Sequence, residues 1–365
     1  MKIAQVAPLY ESVPPLYYGG TERVVSWLTE KLVLLGHDVT LFASGDSVTK
    51  AHLVPGCRRA LRLDPDCKDP IAPHVAMVEQ VFSQAEEFDL IHFHIDYLHF
   101  SLSRHTQVPC ITTQHGRLDI PDLVSLYQQF RDIPLVSISD AQRKPLAWAN
   151  WLGTVHHGMP ENLLRLRKGG EYLAFLGRVS PEKGLLEAIQ IAINSGRKLK
   201  IAAKVDRADQ DFFDVKIKPL LKHPLIEFLG EIGHMQKEAF LGEAAALLFP
   251  INWPEPFGLV MIEAMACGTP VIALPRGSVP EIIQDGINGF LVKTVEEAVR
   301  AVRNVDQIDR LECRRYFEEN FTDEHMAAKY LEIYQQLTGR GPSPIGLGEG
   351  VLKWIEVESP SPSTT

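Results

Sequence analysis

Twice along this chain the same progression occurs: a short apolar run, a loop carrying glycine and polar residues, then an amphipathic helical pattern. Residues 2–7 are the first run, and the Pro-, Tyr- and Gly-rich loop after it ends at Gly19-Gly20. Val24, Val25, Leu28 and Leu32 then share one helical face, Gly36 stops the helix, and 39–42 is apolar again. Residues 172–176, the loop 177–184 and a helix over 185–193 restart the pattern. Strands that alternate with helices pair in parallel, because each crossover helix returns the chain to the same sheet edge. The expected fold class is therefore α/β, with two Rossmann-like doubly wound parallel-sheet domains. In such sheets, ligands gather where strands feed their following loops.

A length of 365 residues also favours two domains over one core. The expected division is 1–160 for the first domain, 161–170 for a linker and 171–320 for the second. A helix within 321–338 packs back on something, because Met326, Tyr330, Ile333, Tyr334 and Leu337 share one face, and 339–365 is a Gly-, Pro- and Ser-rich mobile tail. Strands are expected at 89–93, 111–113 and 135–138 in the first half. In the second half they are expected near 199–202, 226–229, 246–249, 270–273 and 290–292. Residues 46–75 read as irregular, with a helix at 75–86.

The net charge of -9 argues against a nucleic-acid partner. No apolar run reaches membrane-spanning length, and Pro8 and Glu11 interrupt any leader-like stretch at the start. Five widely spaced cysteines without a C-x-x-C pair fit a reduced, cytoplasmic protein.

The chemistry concentrates in 253–280. Pro254 and Pro256 keep the segment around Glu255 extended, and a helix starts near Gly258. The unpaired amides and dipole of that helix start favour an anion. Glu255 lies before the helix and Glu263 within it, separated by seven residues. On one continuous helix they would be offset by about 80°. An acid–nucleophile pair of the glycosidase kind is the competing idea for two such carboxylates, and acids that merely complement the helix dipole are the bland one. In the loop 177–184, Arg178 offers a planar fork and Lys183 a mobile cation suited to two phosphates; alone, the loop also reads as a solvated turn. Gly19-Gly20 admits close backbone approach, or is a plain turn capped by Thr21. His92 and His94 share a strand face, but Tyr97 stands where a metallo-hydrolase run would place its last histidine, so no metal is expected. His115, at a strand end, suits a sugar hydroxyl or a structural contact.

With these residues in hand, the chain resembles the retaining glycosyltransferases of family 4, built on the GT-B architecture of two domains facing a cleft. The resemblance spans roughly 1–338. It is strongest in Phe175-Leu176-Gly177-Arg178-Val179-Ser180-Pro181-Glu182-Lys183-Gly184 and in 249–292, which holds the family's E-x7-E element as Glu255 to Glu263. Tyr18-Gly19-Gly20-Thr21-Glu22, Thr113-Gln114-His115-Gly116 and Ser137-Ile138-Ser139-Asp140 match more loosely. The resemblance implies a nucleotide-sugar donor, with UDP favoured, and a hydroxyl acceptor such as a glycan, lipid or small molecule. It places Arg178, Lys183 and the amides near Gly258, Leu259 and Val260 on the diphosphate, with Phe257 beside them. Glu263 falls on the ribose and Glu255 on the sugar, while Gly19, Gly20 and His115 come from the opposite domain. Lys204, where many relatives have a glycine-ended turn, adds a cation. His115, Glu255, Arg178 and Lys183 are thus the expected catalytic residues. No metal or other cofactor is expected, since fixed cations and a helix start can stabilise the departing diphosphate. A nucleotide-sugar epimerase and a non-catalytic binding module are the alternatives. Arg58, Arg59 and Arg62 form a small basic cluster that would allow weak peripheral membrane contact.

Overall fold

The computed structural model describes residues 1–17 and 19–339, so the expected tail falls almost wholly outside the described residues. The first half holds seven strands: β1 (Lys2–Val6), β2 (Asp38–Ser44), β3 (His52–Cys57), β4 (Leu90–Phe93), β5 (Cys110–Thr113), β6 (Leu135–Ser137) and β7 (Trp151–Thr154). They form one parallel sheet in the order β3-β2-β1-β4-β5-β6-β7. The second half holds β8 (Tyr172–Arg178), β9 (Leu199–Lys204), β10 (Ile226–Gly230), β11 (Ala244–Phe249), β12 (Val271–Ala273) and β13 (Gly289–Leu291). Its order is β10-β9-β8-β11-β12-β13, again all parallel.

Each sheet reverses its direction of growth once, between β1 and β4 and between β8 and β11. At such a switch point the following loops diverge and leave a crevice. The loops leaving β1 and β4 in one domain, and β8 and β11 in the other, carry most of the residues singled out above.

Residues 46–75 are not irregular throughout, which corrects the sequence reading. β3 lies within them as an edge strand, and the following helix begins at Ile71 rather than 75. Pro55 and Gly56 sit inside β3, where an edge position tolerates a missing donor. The edge strand β7, with Gly153, and the helix Pro121–Gln129 had also escaped the sequence reading.

Central strands are buried on both faces, so their residues are apolar with few exceptions. Gln5 in β1 and His92 in β4 are exceptions, both fully buried. Their partners come from the other end of the chain. The last helix, Asp323–Thr338, is capped by Thr322 and crosses onto the first sheet. Tyr334 Oη accepts from Gln5 Nε2 at 3.1 Å and lies 2.7 Å from His92 Nδ1, while Tyr330 Oη meets Thr113 Oγ1 at 2.9 Å. Asp323 pairs with Lys31 at 3.1 Å.

Candidate active site

A cleft of about 900 Å³ separates the two sheets and is lined from both. On its second-domain side, Gly184 turns the loop after β8 with φ +73, and a Cβ there would stand 1.9 Å from the Pro250 carbonyl oxygen. That close approach fixes Lys183 beside the loop after β11. Lys183 Nζ contacts Glu255 Oε2 at 2.6 Å, and Trp253 Nε1 donates to the same oxygen at 3.0 Å. Lys183 also lies 5.1 Å from the Trp253 ring centre. Arg178 donates to Glu182 at 2.7 Å, and Lys204 pairs with Asp206 at 3.0 Å. Gly277 holds Glu255 from behind: its φ is +57, and a Cβ there would stand 2.3 Å from the Glu255 nitrogen and oxygen.

Gly258, with φ +82, opens the helix Leu259–Ala266, whose first turn carries no acidic side chain. Gly258, Leu259 and Val260 line the cleft, and no carboxylate of the helix's own first turn competes for its leading amides, which suits an anion site. Glu263, one turn in and buried, is held by Lys237 Nζ at 2.6 Å. The cations of this wall are thus each paired with an acid, in a form that a ligand's phosphates and hydroxyls can compete for.

The opposite wall is different in kind. Gly19 and Gly20 approach the helix start, and a Cβ on Gly20 would reach Leu259 Cδ1 at 3.8 Å. Behind them stand imidazoles. His94 Nδ1 lies 2.8 Å from His115 Nε2, and His115 stacks on His157 at 5.2 Å between centroids. Burial drives the His115 pKa down to about 3 and holds His94 and His157 well below the usual histidine range, so all three are neutral at working pH. Burial, helped by nearby Glu11, raises the Glu22 pKa to about 7. Arg23 beside it donates to the Tyr17 carbonyl at 2.9 Å.

The walls are tied at one end. Ser139 Oγ donates to the Pro256 carbonyl at 2.6 Å. The Glu281 carboxylate accepts from the amides of Asp140 and Ala141 at 2.8 and 2.7 Å and lies 3.0 Å from His156 Nε2. Burial alone would raise the Glu281 pKa, but His156 and these amides outweigh it and lower it.

Gly19, Gly20, His115, Arg178, Lys183, Lys204, Glu255, Phe257, Gly258, Leu259, Val260 and Glu263 all line this one cleft. Sequence reasoning missed Glu182, Lys237, Trp253, Glu22 and His157, which line it too. Trp253 and Glu182 stood inside the segments already singled out, but nothing in their spacing marked them as partners of Glu255 and Arg178. Lys237 lies on a separate helix and left no local signal. His92 and His94 each use both ring nitrogens on protein partners. Two Asp-x-Asp runs are present, Asp64-Pro65-Asp66 and Asp209-Gln210-Asp211, and neither lines the cleft. In the basic cluster, Arg62 pairs with Glu11 at 2.7 Å and Arg59 with Asp64 at 3.6 Å, so two of its three charges are internally matched.

Known proteins share both the sequence pattern and the architecture. The family described as Glycosyl transferases group 1 matches residues 162–322, and Glycosyltransferase Family 4 matches 18–166. A phosphatidyl-myo-inositol mannosyltransferase of Mycobacterium leprae is 25% identical over 335 residues, covering 82% of this chain and 86% of its own. An uncharacterized 41.2 kDa protein from the cps region of Klebsiella pneumoniae is 30% identical over 193 residues, and that match spans about half of each chain, 48% and 51%. Among solved structures, AviGT4, a glycosyltransferase involved in avilamycin A biosynthesis, superposes with a TM-score of 0.72 at 23% identity, over 93% of this chain and 99% of its own. Anabaena HepE, solved with UDP and glucose, superposes with a TM-score of 0.71 at 18% identity, over 92% of this chain and 100% of its own. At these identities the likeness in structure speaks for the fold.

Proposed function

We propose that this chain, which belongs to the family 4 glycosyltransferases of group 1 and has their GT-B fold, moves a sugar from a UDP-sugar to a hydroxyl acceptor with retention of anomeric configuration. One observation carries the reading: Arg178, Lys183 and the helix start at Gly258 line one side of a single cleft, with the Gly19-Gly20 turn opposite. In the proposed reaction the bond from the anomeric carbon to the diphosphate oxygen breaks, and negative charge grows on that oxygen. Lys183, Arg178 and the amides beyond Gly258 stabilise this charge more than the ground state, which is the condition for a rate gain. For the phosphates to reach them, Lys183 exchanges Glu255 and Arg178 exchanges Glu182. Glu255 is thereby released toward the sugar, and Glu263, steadied by Lys237, faces the ribose hydroxyls. The leaving phosphate oxygen takes the proton of the acceptor hydroxyl as that hydroxyl attacks the same face.

No divalent ion is needed in this scheme, because two side-chain cations and a helix start supply the positive field. The acceptor is a glycan, lipid or small molecule, bound against Glu22, Asp96 and their neighbours. Weak peripheral membrane contact through the Arg58 cluster has little free charge behind it. Cytoplasmic placement accords with this use of a nucleotide-sugar, and among the described residues no helix is long and apolar enough to cross a membrane.

A thermal-shift screen of UDP, GDP, ADP and their sugars tests the donor, since a ligand that binds only the folded protein raises its melting temperature. UDP and one UDP-sugar should give the largest shifts, with EDTA making no difference. NMR of the product anomeric proton then reads retention directly. An epimerised sugar without glycoside, or no sugar release with any donor, overturns the proposal.

A further inference from the structure

His92 in β4 and His94 just after it are left unused by the reaction scheme, yet they connect the terminal helix to the cleft. From Tyr334 the contacts run Tyr334 Oη to Gln5 Nε2 (3.1 Å), Gln5 Oε1 to His94 Nε2 (2.8 Å) and His94 Nδ1 to His115 Nε2 (2.8 Å). A branch runs from Tyr334 Oη to His92 Nδ1 (2.7 Å), and from His92 Nε2 to Thr113 Oγ1 (2.7 Å). Gln5, His92, His94 and Tyr334 are all at most 2% exposed, so water does not compete for these bonds.

A neutral imidazole donates through one nitrogen and accepts through the other. Every link therefore dictates the next. With the Gln5 oxygen toward His94, His94 carries its proton on Nε2 and accepts at Nδ1. His115 must then donate through Nε2, which leaves His115 Nδ1 as an acceptor. That atom is buried, has no hydrogen-bond partner among the described residues, and belongs to a ring that lines the cleft. The opposite sense, with every donor reversed, is the other self-consistent pattern. Tyr334 decides between them. A phenol is a good donor and an imidazole nitrogen the strongest neutral acceptor here, so the short Tyr334–His92 contact favours donation by the phenol. Having donated there, Tyr334 accepts from the Gln5 amide, which turns the Gln5 oxygen to His94.

We propose that Tyr334 is a positioning residue that acts through Gln5 and His94 to fix the tautomer of His115, so that His115 Nδ1 presents an acceptor to a hydroxyl of the bound sugar. The identity of that ligand rests on the function proposed above; the relay does not. It also gives the crossing helix a role beyond burial of its apolar face.

Nitrogen-15 NMR of histidine-labelled, ligand-free protein reads the tautomers directly. The expected result is His115 protonated on Nε2 only. Tyr334→Phe removes one oxygen, frees the Gln5 amide to turn, and should give a mixture of His115 tautomers. Gln5→Met, which keeps the volume and deletes both polar ends, should do the same and serves if the first variant does not fold. His115 protonated on Nδ1 in the parent, or a single unchanged tautomer in a folded variant, overturns the relay whether or not the chain transfers sugar. In turnover, Tyr334→Phe should lower kcat/KM about tenfold with UDP affinity unchanged, and add nothing in a His115→Ala background. A full additional loss in that background would show that Tyr334 acts on stability alone.

Discussion

The two walls of the cleft solve different problems with different chemistry. The second-domain wall is built from ions in pairs, Lys183 with Glu255, Lys237 with Glu263 and Arg178 with Glu182, at 2.6–2.7 Å. The first-domain wall sets glycines and neutral imidazoles, with Glu22 raised toward neutrality, among Arg23, Arg62 and Arg117. A paired ion can change partners at modest cost when a charged ligand arrives. A buried neutral network cannot, because each of its bonds depends on the others. The first arrangement suits a group whose charge changes during reaction, the second a group that must hold one geometry.

Lys183→Ala should break the first wall most severely. Turnover should fall by about 10²–10³, the scale for removing one group that stabilises developing negative charge. Stability should fall by no more than about 2 kcal/mol, because Trp253 Nε1 still donates to Glu255. Steady-state kinetics beside a urea melt separates the two, and near-normal turnover would remove the clamp from the mechanism.

Glu22→Gln probes the second wall through pH. A carboxyl whose folded pKa is about 7 binds its proton more tightly folded than unfolded. Between the unfolded value near 4.5 and about 7, the folded state therefore holds more protons, and stability falls as pH rises through that window. The loss is about 3 kcal/mol at most for a shift of this size. The parent should thus lose stability between pH 5 and pH 8 by more than the glutamine variant does, in urea melts at the two pH values. Equal losses would show that Glu22 is solvated and that the contrast between the walls is overstated.

Glu255→Gln tests whether the ion pairs compete with ligand. Without the carboxylate, Lys183 is free for a phosphate, so UDP should bind about three- to tenfold more tightly by calorimetry, even as transfer falls. Weaker binding would mean that Glu255 aims Lys183 rather than restrains it.

How legible each wall was in the sequence follows from the same contrast. Most of the charged wall is encoded locally: Arg178 to Gly184 and Glu255 to Glu263 are two short segments, each read from proline, glycine and charge spacing, while Lys237 comes from a helix of its own. The imidazole wall is encoded at a distance. Gln5, His94, His115 and Tyr334 come from three strands or strand ends and the last helix, and only strand pairing and the crossing helix bring them together. Gln5 inside an apolar strand was the available hint, since a buried amide must find partners. The central strands were plain as continuous apolar runs. The edge strands β3 and β7 were not, because an edge needs less apolar surface and admits Pro55, Gly56 and Gly153.

Ser139→Ala addresses the seam where the walls meet, and its effect should be the smallest. Ser139 Oγ donates to the Pro256 carbonyl at 2.6 Å and accepts from the Gln142 amide at 3.0 Å, so it links the domains and caps the short helix Asp140–Arg143. Losing both bonds should cost about 1–2 kcal/mol. The Glu281 carboxylate still holds the Asp140 and Ala141 amides, so the loops should stay joined. Because Pro256 adjoins Glu255, the loss should appear in the KM for the donor by about two- to threefold, with kcat nearly unchanged. A fall in kcat instead would mean that the seam controls how the walls close on the donor, and that the cation wall acts only when the imidazole wall is held against it.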